Sequence, residues 1–178
     1  TYILYERDII QQINKKNDKK YILSQNKQGK VGGIGDSEIF VNPKVIVRQA
    51  GDSIVATYVK SELYLDYSLF SISNVNLDLP NNILKIVLAF LNSKLCSFYA
   101  WHKNIIEHAK GGTPQMRISG LRNLPFPKFN SVDSENITNY VDELLTMNIN
   151  PQSAIKNKVK IQAISDEIDK IIYRIYKL

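Results

Sequence analysis

The chain has 178 residues, 44% of them apolar, with 23 basic and 17 acidic side chains and a formal net charge of +6. That length suits one domain with a helical appendage, and the apolar content and absence of low-complexity tracts exclude a disordered chain. Residues 1–60 hold 10 basic and 6 acidic side chains, residues 61–130 hold 7 and 4, and residues 131–178 hold 6 and 7. The basic excess therefore lies in the first 130 residues, where it suits a polyanion such as nucleic acid, although mild basicity is also common in cytoplasmic proteins that bind none.

The opening "YILYERDIIQQINKK" spaces Ile9, Ile10 and Ile13 as a short amphipathic helix, which runs into the polar break "KKNDKK". No signal peptide opens the sequence, and its start at Thr1 is read as the start of a piece of a longer polypeptide. "GKVGGIGDSE" places four glycines in seven residues, but no lysine-serine or lysine-threonine follows the last of them. It is expected to be a surface loop rather than a phosphate loop, able to wrap a backbone phosphate with bare amides and Lys30. From Tyr21 to about Ile72 the texture is that of strands, in "KVIVRQ", "SIVATYV" and "ELYLDYSLFSI". "KVIVRQAGDSIVATYV" predicts a hairpin turning at Ala50-Gly51-Asp52, with Pro43 at the start of its first strand.

"LPNNILKIVLAFLNSKLCSFYAWHKN" predicts one long central helix, with Asn81 as N-cap and a core stripe of Ile83, Val87, Phe90, Leu91, Leu95 and Phe98. Lys85, Asn92 and Lys94 interrupt its apolar run at costly depth for a bilayer, so a buried helix is expected and no membrane contact. The single Cys96 falls inside it as a small core residue and excludes an internal disulfide framework, which fits a reducing cytoplasm. His102 and His108 have no Cys or acidic partner at ligand spacing, so no metal site is expected. Trp101 and Tyr99 either finish the packing or stack on a base. After a basic connector, "SENITNYVDELL" predicts a helix capped by Ser134 with Ile137, Tyr140, Val141 and Leu144 on one face. A second tail helix follows Pro151, with Ile161, Ile164, Ile168, Ile171, Ile175 and Leu178 at alternating steps of three and four. This seam is expected to pack against the Ile137 helix or against a part of the polypeptide beyond this chain. The expected units are residues 1–130 and a helical tail, 131–178.

The order of these features is informative. "KVIVRQAGDSIVATY", "YSLFSI", "LAFLNSKLCSFYA", "GGTPQMRISGLRNLPFP" and "IDKIIYRIYKL" follow one another through most of residues 44–127 and the last dozen. Together they resemble the TaqI-like C-terminal specificity domain, the target recognition part of type II adenine-N6 DNA methyltransferases and of fused restriction-modification enzymes. The specificity subunits of type I restriction systems are similar at the glycine-to-LPFP stretch. The resemblance implies an α+β fold, in which a small mixed, mostly antiparallel sheet packs on a long central helix and a helical tail closes the chain. It also implies a reader of double-stranded DNA that directs a methyltransferase or nuclease part of the same bacterial, cytoplasmic polypeptide. The sequence departs from the parent enzymes in lacking an Asn-Pro-Pro-Tyr or Asp-Pro-Pro-Tyr tetrapeptide, since "VNPKV" fails at its third position. It also lacks the glycine motif for S-adenosylmethionine. That cofactor, and magnesium where a nuclease is present, are expected in a catalytic part upstream of Thr1, with no cofactor and no catalytic residue in this chain.

Within that frame the connector Gly111–Pro127 gains a purpose, because it carries Arg117 and Arg122 and no acid. Its amides at Gly111 and Gly112 suit a phosphate. Lys110, Arg117 and Arg122 can neutralise phosphates, or an arginine can pair with guanine, while Thr113 and Gln115 can sense base edges. "LRNLPFP" is expected to dock Leu121, Leu124 and Phe126 and to stop the helix. Arg48 and Gln49, at the hairpin tip, are candidates for reading a groove, and Lys44 and Lys60 for phosphate contact. Two alternatives stay open: Arg48 pairing with Asp52 across the turn, and Arg117 held in a structural salt bridge. A protein-interaction module that docks through the isoleucine seam is the competing function, and a stand-alone enzyme on RNA or DNA finds no acid-base or metal constellation to support it.

Overall fold

The computed structural model describes residues 40–65, 68–74, 79–80, 82–107, 111–147 and 151–178. The expected helix at Ile9–Ile13, the glycine loop with Lys30, and Asn81, His108 and Lys110 lie outside the described residues. The fold is α+β: small antiparallel sheets, a helical centre and C-terminal helices.

Three strands, β1 (Lys44–Arg48), β2 (Ala56–Val59) and β3 (Leu69–Ser73), form an antiparallel sheet in the order β2-β1-β3. The predicted hairpin is present, with Lys44 opposite Val59 and Val47 opposite Ala56. On its other side β1 pairs with β3, Val47 facing Phe70. Val45, Ile46 and Val47 are all buried, so the central strand is apolar on both faces and reads as a continuous run rather than an alternation.

The predicted central helix is two helices, α1 (Ile83–Leu91) and α2 (Lys94–His102), bent by 60° between them. Hydrogen bonds explain the break. The carboxamide of Asn92 leaves the helix and pairs with the edge of β2, its Oδ1 accepting from the Ala56 amide (2.8 Å) and its Nδ2 donating to the Ala56 carbonyl (3.0 Å). Ser93 then caps α2, with Oγ accepting from the Cys96 amide at 3.1 Å and donating to the Phe90 carbonyl at 2.7 Å. The buried Asp169 carboxylate accepts from the Lys94 amide at 3.0 Å, placing negative charge at the start of α2. No single helix among the described residues is long and apolar enough to cross a membrane, and this bent pair buries much of its apolar run in the core.

The tail helices are α4 (Ser131–Met147), α5 (Pro151–Lys156) and α6 (Lys158–Ile175), following a short α3 (Ile118–Arg122). Helix α4 begins three residues before the expected cap, because Asn130 rather than Ser134 closes its first turn. Asn130 Oδ1 accepts from the Asp133 amide (2.8 Å) and its Nδ2 donates to the Asp133 carboxylate (2.9 Å). Of the expected α6 seam, Ile164 and Ile168 are buried, Ile161, Ile171 and Ile175 are half-buried and Leu178 is exposed. Ile172, outside the expected spacing, is fully buried. A straight helix of 3.6 residues per turn drifts away from a 3.5-residue repeat, which brings Ile172 inward beside the half-buried Ile171.

Sheet, α1, α2 and the tail share one core that includes Val45, Phe90, Cys96, Ile137, Val141 and Ile172. Cys96 is 1% exposed, and desolvation pushes its thiol up to about 12. Only the thiolate is a nucleophile, so the native protein at pH 8 is expected to resist an aromatic disulfide reagent and to react fully once unfolded in guanidinium. Fast reaction of the native protein would show that the α2 core opens.

Candidate nucleic-acid interface

A second, two-stranded ribbon carries the connector. Strand β4 (Ile106–Glu107) pairs antiparallel with β5 (Gln115–Met116), Ile106 facing Met116 and Glu107 facing Gln115. Alternation of side chains separates the two faces: Ile106 and Met116 are buried, and Glu107 and Gln115 are exposed. The hairpin tip joins the free side of β5. Ala50 bridges Gln115, the Gly51 amide donates to the Pro114 carbonyl (2.8 Å), and the Met116 amide donates to the Gln49 carbonyl (2.9 Å). Two segments far apart in sequence, both singled out for DNA contact, are thus stitched together by backbone hydrogen bonds.

One open cleft results, lined by Arg48, Gly51, Asp52, Gly111, Gly112, Thr113 and Pro114. Arg48 is the one exposed side chain of β1, and its guanidinium lies across Gly51. Gly51 has φ +141°, which favours glycine, and a Cβ there would push the Arg48 guanidinium aside. Gly111, at φ +78°, supplies a second glycine-favouring turn in the same rim. Asp52 shares the cleft, yet among the described residues no ion pair joins it to Arg48; it accepts instead from Ser53 Oγ at 3.3 Å.

Gln115 is exposed on the ribbon, and Arg117, two residues on, is 71% exposed and forms an ion pair with Glu107, Nε lying 2.8 Å from Oε1. The structural-salt-bridge alternative is therefore present, but on the surface. Thr113, Gly112, Arg122 and Lys60 are exposed and Gln49 is half-buried. Arg122 stands at the far end of α3, one helical turn beyond Arg117. Beneath α3, Leu121 and Leu124 pack against the core and Phe126 meets Phe90 edge to face at 5.4 Å, as expected of the LPFP stretch. Trp101 also packs against the core.

Lys44 is a correction. It lies at the opposite end of β1 from Arg48, about 13 Å away at roughly 3.3 Å per residue, and is fully buried with Nζ donating to the Ser61 carbonyl at 3.1 Å. Burial pushes its ammonium below the ordinary lysine value, and the attraction of Glu62 offsets part of that shift. A lysine so enclosed cannot meet a phosphate, and it leaves the candidate set. Lys30 and Lys110 lie outside the described residues. Sequence reasoning missed Glu107, although it is the sole acid between Asp78 and Asp133. Among the described residues no group of three or more His, Cys, Asp or Glu side chains is placed to hold a metal ion.

A family model described as the TaqI-like C-terminal specificity domain matches residues 2–126. No curated protein matches at a significant level.

Proposed function

Because the chain belongs to the TaqI-like C-terminal specificity domain family, we propose that it selects the target site of a type II adenine-N6 DNA methyltransferase, with or without an attached endonuclease. The family is a specificity domain rather than a catalytic one, and its role is DNA recognition within restriction-modification. In the proposal the partners are double-stranded DNA and a catalytic part of the same polypeptide, in a bacterial cytoplasm. S-adenosylmethionine, and magnesium where a nuclease is present, belong to that catalytic part.

The observation that supports this reading is the joining of the hairpin tip to the glycine-rich connector in one exposed rim. Phosphate contacts fix register and base contacts supply sequence information. Gly111 and Gly112 are exposed, so that their amides are suited to a phosphate, while the exposed Arg48, Gln115 and Arg117 carry donors of the kind that read purine edges. The sheet that carries Arg48 packs on α1 and the ribbon packs on α2, so the backbone beneath these groups is held in place before binding.

Titration of fluorescent duplex DNA with the chain tests the proposal. Between 50 and 200 mM salt the affinity should fall by about 10²-fold if four phosphates are neutralised. Binding that is absent, or flat across that range, overturns it.

A further inference from the structure

Between Asp78 and Asp133 the sequence holds seven basic residues and a single acid, Glu107. That acid stands on the exposed face of the β4/β5 ribbon, opposite Gln115, with its carboxylate on Arg117 Nε at 2.8 Å. Side chains two apart on a strand share a face, so Glu107, Gln115 and Arg117 form one exposed row above the buried pair Ile106 and Met116. Stability does not explain the pair. Arg117 is 71% and Glu107 51% exposed, and ion pairs so open to water add little to folding.

We propose that Glu107 is a positioning residue for base recognition, holding Arg117 so that its two terminal amino groups face a guanine. The inference rests on the DNA-reading role above. An ion pair whose closest approach is at Nε, 2.8 Å from the carboxylate, holds the near side of the guanidinium, and no other residue among those described forms an ion pair with Nη1 or Nη2. Those two groups are the fork that pairs with guanine O6 and N7. A two-stranded ribbon fits the major groove, so a row on its exposed face meets base edges rather than phosphates. There a carboxylate is tolerable, whereas beside the backbone it would repel. An unrestrained arginine would have to give up its rotamer freedom on binding, and the contact with Glu107 narrows that freedom beforehand.

The test is selection from a pool of duplexes with a randomised core, followed by titration of the preferred duplex and of its single-base variants. Wild-type chain, Glu107→Ala, Glu107→Gln, Arg117→Ala and the double alanine variant are compared, with melting temperature as the check on folding. Arg117→Ala should abolish a guanine preference at one position, and Glu107→Ala should reduce the same preference by about 5- to 10-fold. The double variant should be no worse than Arg117→Ala, as coupled residues require. Glu107→Gln, which keeps an oxygen for Nε, should retain more of the preference than alanine. Affinity for non-preferred duplexes should rise in Glu107→Ala, because a negative charge is gone. The proposal is overturned if Glu107→Ala tightens all duplexes equally and keeps the guanine preference, or if the two single variants relax different positions. Salt-dependent binding with those outcomes leaves the DNA-reading role intact; absence of duplex binding by the wild type removes both.

Discussion

Arg48→Ala should weaken binding to the preferred duplex by roughly 5- to 100-fold, the worth of one well-placed arginine-base contact, while leaving the salt dependence close to that of the wild type. Its placement justifies so large an effect. β1 is the central strand, paired on both sides and buried from Lys44 to Val47, and Arg48 is where it emerges. The next residues are bonded to Pro114 and Met116, so the tip is fixed against the connector. The backbone that carries this guanidinium is thus placed before DNA arrives, so that binding need order only the side chain itself. Gly51→Ala separates position from charge. The added Cβ would displace the Arg48 guanidinium while the +1 charge stays, and φ +141° adds backbone strain. It should shift binding in the same direction as Arg48→Ala. Binding by Arg48→Ala within twofold of wild type would remove Arg48 from the interface, and a drop in salt slope of about one would reassign it to a phosphate.

What the sequence revealed and what it hid divide along physical lines. The β1–β2 hairpin was legible because β-branched runs flank a Gly-Asp turn, all within neighbouring residues. The connector was legible as cationic and glycine-bent because composition alone carries that. The break after Leu91 was not: apolar spacing runs through it undisturbed, and its cause is a bond between Asn92 and Ala56, far away in the chain. Lys44 looked like any lysine at a strand's start, and its burial depends on the Ser61 carbonyl coming alongside. The Arg117–Glu107 pair needs the register of β4 on β5, which no local pattern states. The seam of α6 was found but misphased at its end, since a 3.5-residue count drifts off a 3.6-residue helix and places Leu178 beyond its last residue, Ile175.

Ile172→Ala should lower stability by about 2–5 kcal/mol, the usual range for truncating a buried isoleucine, and melting temperature by roughly 5–20 °C for a chain of this size. Ile172 is fully buried on α6, beyond the family-matched residues 2–126, yet it joins the same core as Val45 and Phe90. Polar ties run the same way. Arg174 pairs with the buried Asp133, the Tyr176 hydroxyl donates to the Pro125 carbonyl, and Lys94 reaches Asp166 at 2.6 Å and Asp169 at 3.4 Å. The tail therefore clamps the LPFP stretch from behind and caps α2, so it acts as part of the reader's scaffold. Leu178→Ala is the control: that side chain is 76% exposed, and its loss should stay within about 0.5 kcal/mol. If the isoleucine seam served instead to dock a separate protein, Ile172→Ala would cost that partner's affinity and leave the melting of the sheet unchanged. A single cooperative transition, shifted downward by Ile172→Ala and untouched by Leu178→Ala, is the result that assigns the seam to this chain's own core.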